Sequence, residues 1–214
     1  MQYIQSIWAN AKPIANGQRN PAAKYLRAKG IHDFAGADLR YSKHSPLPDP
    51  FCDDIFAAPV AGWPALAAQI TDKQGHMMGL FRRYLSENGT REDAIILGEG
   101  ETSSLFAGRH IQWLTKSPQL HAAIRLFKPV GGKVGIVHGI ELALMLHQET
   151  HLPMWAIEWG FAGLALEKSI KDVVLFAGDS PREIADVRRL ATRLHGQGMN
   201  VSIKPIKRYF TQFA

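Results

Sequence analysis

The sequence predicts an α/β protein in which a parallel-sheet region, from about residue 131 to 214, follows an α+β region with antiparallel strands over residues 1–130. Three observations carry this. After Gly132, the apolar runs Val134–Val137, Met154–Ile157, Val173–Ala177 and Val201–Ile203 alternate with helical patterns, and such alternation builds a parallel sheet of βα units. Earlier, Pro64–Thr71 and His76–Leu85 read as two strands around Asp72-Lys73-Gln74-Gly75, an antiparallel signal. Finally, 214 residues with 46% hydrophobic and 21% charged content suffice to bury a core, unlike a disordered or collagen-like chain.

Each element has a local cause. The first stretch reads as a helix ending near Pro13. Asn20-Pro21 provides an N-cap and a proline at the first helical position, and Gly30 a stop, so 21–29 is a short helix. Pro46, Pro48, Pro50 and Pro59 crowd residues 43–60, which therefore read as a loop. Asn88-Gly89 is a hairpin signal after the second strand. The apolar run Ala122–Phe127 precedes Gly131-Gly132. Beyond it, Ile140–Glu149 and Phe161–Glu167 read as helices, and Ser180-Pro181-Arg182-Glu183 as a capping box opening a long helix to about His195.

Composition also excludes. With Cys52 alone, neither an intrachain disulfide nor a site of several thiolates can form, and Asp53 and Asp54 beside it disfavour a nucleophilic thiolate. No run of about 18 apolar residues is present to suggest a membrane span, and the N-terminus lacks a signal-peptide pattern, so a cytoplasmic location without membrane partners is expected. Gly98-Glu99-Gly100-Glu101 carries acids that repel phosphate, and Gly131-Gly132-Lys133-Val134 lacks the hydroxyl after lysine that a P-loop needs. His147 and His151 have metal-compatible spacing without a third ligand, so no metal site is expected there.

Charge is concentrated. Residues 1–107 carry 11 Lys and Arg against 11 Asp and Glu, whereas 108–214 carry 14 against 8. Arg182, Arg188, Arg189, Arg193, Lys204, Lys207 and Arg208 form the cluster, the electrostatic footprint of a polyanion partner or else a solvated helix face with a basic tail. At 100 degrees per residue, 182, 189 and 193 share a face with 188 to the side. Trp159 is the aromatic expected to be exposed for stacking on bases, while Trp155 belongs to the core. Tyr209, Phe210 and Phe213 either dock the tail or face a partner.

Val134-Gly135-Ile136-Val137-His138-Gly139-Ile140-Glu141-Leu142 resembles the first strand-to-helix signature of toprim domains, and Val173-Val174-Leu175-Phe176-Ala177-Gly178-Asp179-Ser180 lies where that domain carries its Asp-x-Asp motif. Upstream, Trp8–Ile14, Tyr25–Ile31, Gly79–Leu85 and Ala123–Leu126 look like the linking domain of the toprim primases of plasmids, integrated elements and phages. The resemblance implies a glutamate acting as general acid or base and paired aspartates holding Mg2+, since phosphoryl transfer needs hard oxygen ligands.

The departures fall on those same positions. His138 stands where the resemblance implies the glutamate, and Gly178 and Ser180 stand where it implies the aspartates, leaving Asp179 between them. His138 and Asp179 are expected to pair where the metal would sit. Glu158, just after the strand ending at Ile157, and Glu141, one turn into the helix after Gly139, are the acids placed to approach Asp179, and both are expected to be solvent-exposed. The expected protein is a stand-alone, catalytically degenerate, primase-derived product of a mobile element, without a cofactor, that binds nucleic acid or a nucleoprotein complex. One alternative is an active Mg-dependent primase or nuclease with rearranged ligands; another is a protein-binding inhibitor of a host complex.

Overall fold

The computed structural model describes residues 2–46, 62–90, 94–97, 104–107, 109–114, 122–161 and 163–210. The chain forms two compact units, one of Met1–Gln69 with Gly79–Leu114, the other of Ile70–Met78 with Thr115–Ala214. The second unit thus takes in Ile70–Met78 and the strand before residue 130, ahead of the expected division at 130.

In the first unit, α1 (Gln2–Asn10) buries Ile4, Ile7 and Trp8 on one face, the i, i+3, i+4 spacing of an amphipathic helix. It ends before β1 (Lys12–Pro13). α2 (Pro21–Ala28) starts as expected: the Asn20 side chain accepts from the Ala23 N–H at 2.9 Å, with proline at the first position. A five-stranded sheet has the order β1-β2-β3-β4-β7, with β2 Leu39–Pro46, β3 Gly62–Thr71, β4 Met77–Tyr84 and β7 Arg109–Trp113. The two expected strands are β3 and β4. β2 corrects the expected loop, because Lys43–Pro46 continue the strand and Pro46 ends it opposite Gly62, a terminus where a missing N–H is tolerated. The rest of that loop, with Cys52, and the Gly98–Glu101 segment lie outside the described residues. β5 (Ala94–Leu97) and β6 (Ser104–Ala107) form a separate antiparallel pair.

A buried arginine organises this unit. Arg82 of β4 donates to the Pro46 carbonyl at 2.5 Å and to Gln112 Oε1 at 2.8 Å, with its guanidinium 5.6 Å from the Tyr84 ring centre. Tyr84 donates to the same Pro46 carbonyl at 3.0 Å. Burial pushes the Tyr84 hydroxyl up to about 12, so it remains a neutral donor.

The second unit's sheet has the order β12-β11-β9-β10-β8, formed by β8 Ile124–Arg125, β9 Lys133–His138, β10 Met154–Ile157, β11 Asp172–Ala177 and β12 Asn200–Pro205. β9 to β12 run parallel, and β8 is antiparallel to β10. Val134–Val137, Met154–Ile157 and Val173–Ala177 are buried, which explains their unbroken apolar runs. α3 spans Ile140–Thr150 and α4 spans Pro181–Gly196.

Phe161–Glu167 corrects the expected helix, since Phe161 and residues 163–167 are irregular. Phe161, Leu164, Leu166 and Ile170 all enter the core, at spacings of no single helical face, and Gly160 sits at φ 109°. The capping box is also corrected: Ser180 makes no side-chain cap, and Glu183 instead accepts from the Gly178 N–H at 3.0 Å.

Gly135 generates a test of this packing. A Cβ there would lie 2.3 Å from Met154 Sδ and 3.2 Å from Phe176 Cε2, both side chains buried. Gly135→Ala is expected to destabilise the protein by about 1–3 kcal/mol through overpacking. Adding Met154→Ala should return part of the loss, as read by urea unfolding; an unchanged midpoint for the single variant would contradict this packing.

Candidate functional site

The carboxyl ends of β9, β10 and β11 open on a cleft of about 340 Å³ that His138, Glu158, Trp159, Ser180, Arg182 and Glu183 help to line, where parallel sheets place their sites. His138 is exposed at the end of β9. Gly139 then turns the chain at φ 96° and supplies no side-chain cap for α3. The cap comes from the neighbouring strand instead: Glu158, one residue past β10, accepts from the Ile140 N–H at 3.0 Å and is 7% exposed. The expectation of a solvent-exposed Glu158 is therefore corrected, because a helix start bordered by buried strands needs an acceptor. Glu141 is half-buried in the first turn of α3, where a carboxylate favours the helix dipole.

The β11 end is built by the same means. Glu183 reaches back from α4 to the Gly178 N–H, and a Cβ at Gly178 would lie 2.7 Å from Glu183 Oε2. The space that a side chain at 178 would use is thus filled by a carboxylate from elsewhere. Asp179 is 72% exposed and pairs with Lys207 at 3.5 Å. No hydrogen bond or ion pair joins it to His138, so their expected pairing is corrected: the register Ala177 to Pro205 carries the chain after β11 beside the residues that follow β12.

The donor set does not fit Mg2+. Gly178 and Ser180 offer no carboxylate, Glu158 and Glu183 each accept a backbone N–H through Oε1, and among the described residues no three His, Cys, Asp or Glu side chains gather for a metal. His147 and His151 do not converge either. His147 Nδ1 lies 2.6 Å from the Leu152 carbonyl and its ring stacks on Phe127 at 3.7 Å, whereas His151 ends α3 in the left-handed region at φ 54°.

The basic cluster divides by geometry. Arg182, Arg188 and Arg208 are exposed and Lys204 is half-buried on β12. Arg189 pairs with Asp186, and Lys207 with Asp179. Arg193 is half-buried and donates to the Leu164 carbonyl at 2.6 Å. The expected face of 182, 189 and 193 is therefore partly an internal tie, because α4 turns 193 toward the irregular segment carrying Leu164. Trp155 lies in the core and donates from Nε1 to the Phe127 carbonyl at 3.0 Å. Trp159 corrects its expected exposure: it is half-buried and packs on the core beside the cleft. Tyr209 meets Phe176 edge-on at 5.5 Å, which docks the tail. Phe213 lies outside the described residues.

Sequence reasoning misses Glu183 as an occupant of the site, because Ser180-Pro181-Arg182-Glu183 has the pattern of a capping box. It also misses Arg125. That guanidinium donates to the Thr71 carbonyl at 2.5 Å and Oγ1 at 2.6 Å, lies 3.5 Å from Glu167 and stands 4.5 Å from the Trp155 ring centre. Burial pulls its pKa down while Glu167 and Asp72 raise it, and an arginine keeps its charge under such shifts.

Residues 1–98 match the model of a family described as Domain of unknown function (DUF7146). No curated protein matches the chain significantly. Among solved structures, a DNA primase domain from Pseudomonas aeruginosa is 10% identical with a TM-score of 0.57, over 99% of this chain and 74% of that one. The DnaG primase catalytic domain bound to ssDNA is 13% identical with a TM-score of 0.58, over 95% and 72%. The Aquifex aeolicus primase, with its zinc-binding and RNA polymerase domains, is 15% identical with a TM-score of 0.57, over 98% of this chain and 57% of that one. At these identities the likeness is one of fold, and the fold of this mixed α/β chain is that of the toprim-like catalytic domains of DnaG-type primases.

Proposed function

We propose that this chain is a primase-derived, toprim-like protein of a mobile genetic element that binds nucleic acid, alone or within a nucleoprotein complex, without metal-dependent catalysis. Residues before the parallel sheet act in this reading as a primase-type linking region. The observation that carries the loss of catalysis is the Glu183 carboxylate, held on the Gly178 N–H in the space a side chain at 178 would occupy. With His138 and Ser180 at the other two positions, the cleft has no pair of free carboxylates to hold a hard divalent cation. Nucleic acid is favoured as partner by the exposed Arg182, Arg188 and Arg208 and by a fold shared with a primase domain solved on ssDNA. A fold outlives its chemistry readily, so the site has to carry the argument.

The purified protein is expected to show no Mg2+- or Mn2+-dependent primer synthesis or nucleic-acid cleavage. A metal-dependent activity that Asp179→Ala abolishes would establish an enzyme with rearranged ligands instead.

Binding is expected to weaken steeply with salt. Arg188→Ala and Arg208→Ala should each lower the log–log slope by about one if the arginine meets a phosphate. Arg193→Ala should act chiefly on stability, through the lost Leu164 contact. A salt titration of single-stranded and duplex binding checks this; absent binding, or slopes unchanged in both exposed-arginine variants, would turn the assignment to a protein partner.

A further inference from the structure

The first unit carries a cleft of its own, of about 470 Å³. Its origin is a bulge. Ser42 is opposite Ala65, but Ser45 is opposite Trp63, so β2 holds one residue more than β3 across this stretch, and Lys43 and His44 lie within it. Bulges re-aim side chains and recur beside functional sites. Gly62 faces this one closely, since a Cβ there would stand 3.1 Å from His44 Cβ.

The lining is mixed in a particular way. Tyr41 and Trp63 are half-buried ring walls, Lys43 and His44 are exposed, and Pro21 and Glu87 complete the opening. No hydrogen bond or ion pair occupies the Lys43 or Glu87 side chain among the described residues. Burial, with the Glu87 charge nearby, raises the Tyr41 hydroxyl above its ordinary range, which keeps that wall a neutral phenol. The volume is that of a small-ligand site. Aromatic walls suit the face of a base, a carboxylate accepts from an exocyclic amino group, and a lysine on the rim meets a phosphate.

We propose that this cleft takes one unpaired nucleobase of a single-stranded nucleic acid, with the base against Trp63 and Tyr41 and the adjoining phosphate near Lys43. The inference rests on the nucleic-acid reading above and adds to it a site, a strand preference and a mode of contact. Stacking is sequence-tolerant because every base has a π-face, so this cleft selects unpaired strands over duplex while the exposed arginines supply the salt-dependent attraction.

The test uses the full-length protein and a short single strand carrying 5-iodouracil. Irradiation of the wild-type complex should crosslink Trp63 or Tyr41, located by peptide mass spectrometry. At fixed salt, Trp63→Ala should weaken single-strand binding about tenfold, or about 1.4 kcal/mol, leaving the salt slope and duplex binding unchanged; Trp63→Phe should retain most of the affinity. Crosslinks confined to other residues, or Trp63→Ala within twofold of wild type, would overturn the inference while binding by wild type leaves the broader reading standing. A wild-type protein that binds no strand would overturn both. Competition by a nucleoside monophosphate at concentrations matching the strand's would overturn the strand assignment in favour of a free nucleotide.

Discussion

The N–H groups of Ile140 and Gly178 must find acceptors where β9 and β11 hand the chain to α3 and α4, and the shape of the cleft follows from which groups answer. A buried backbone donor left unmet costs about 1–3 kcal/mol, so the demand is not optional. Gly139 has no side chain and Ser180 does not cap its helix. Glu158 and Glu183 answer from the neighbouring strand and from the next turn. Both carboxylates are thereby oriented by the backbone, each through its Oε1. Each serves as a structural support for the turn it caps.

A similar economy of charge governs the interior elsewhere. Arg125 and Arg82 each place a guanidinium among aromatic rings and backbone carbonyls. Such groups resist deprotonation, and their planar forks can join several chain segments at once. Arg125 links Thr71, Trp155 and Glu167, residues distant in sequence. Arg82 gathers the end of β2 and a side chain of β7. Counting such residues in a basic cluster overstates the charge offered to a partner, as Arg193 shows by its bond to Leu164.

The parallel sheet was legible because β9, β10 and β11 are buried and therefore written as plain apolar runs. α2 was legible from Asn20-Pro21, and the β3 and β4 strands from the turn residues between them. Two elements were hidden for physical reasons. β2 ends in proline, a residue that ordinarily signals a loop and is tolerated here only at the last pairing. Phe161–Glu167 has enough apolar residues for a helix, but Gly160 and the packing of Phe161, Leu164 and Leu166 hold it irregular. At the cleft, the positions of His138, Gly178 and Ser180 were readable, whereas the destinations of Glu158 and Glu183 depend on geometry across strands that no local pattern encodes. The same limit applies to Asp179, whose partner follows a different strand.

The contact between Glu183 and Gly178 also bears on substitution. An aspartate introduced at 178 alone would meet the Glu183 carboxylate in the same space, with like charge, and would deprive that carboxylate of its place. A change at 183 alone would leave the Gly178 N–H without its acceptor. Each single change therefore gives up the bond between Glu183 and the Gly178 N–H, and the two positions are energetically coupled. The two positions act as one unit, so the effect of any residue placed at 178 depends on which residue stands at 183.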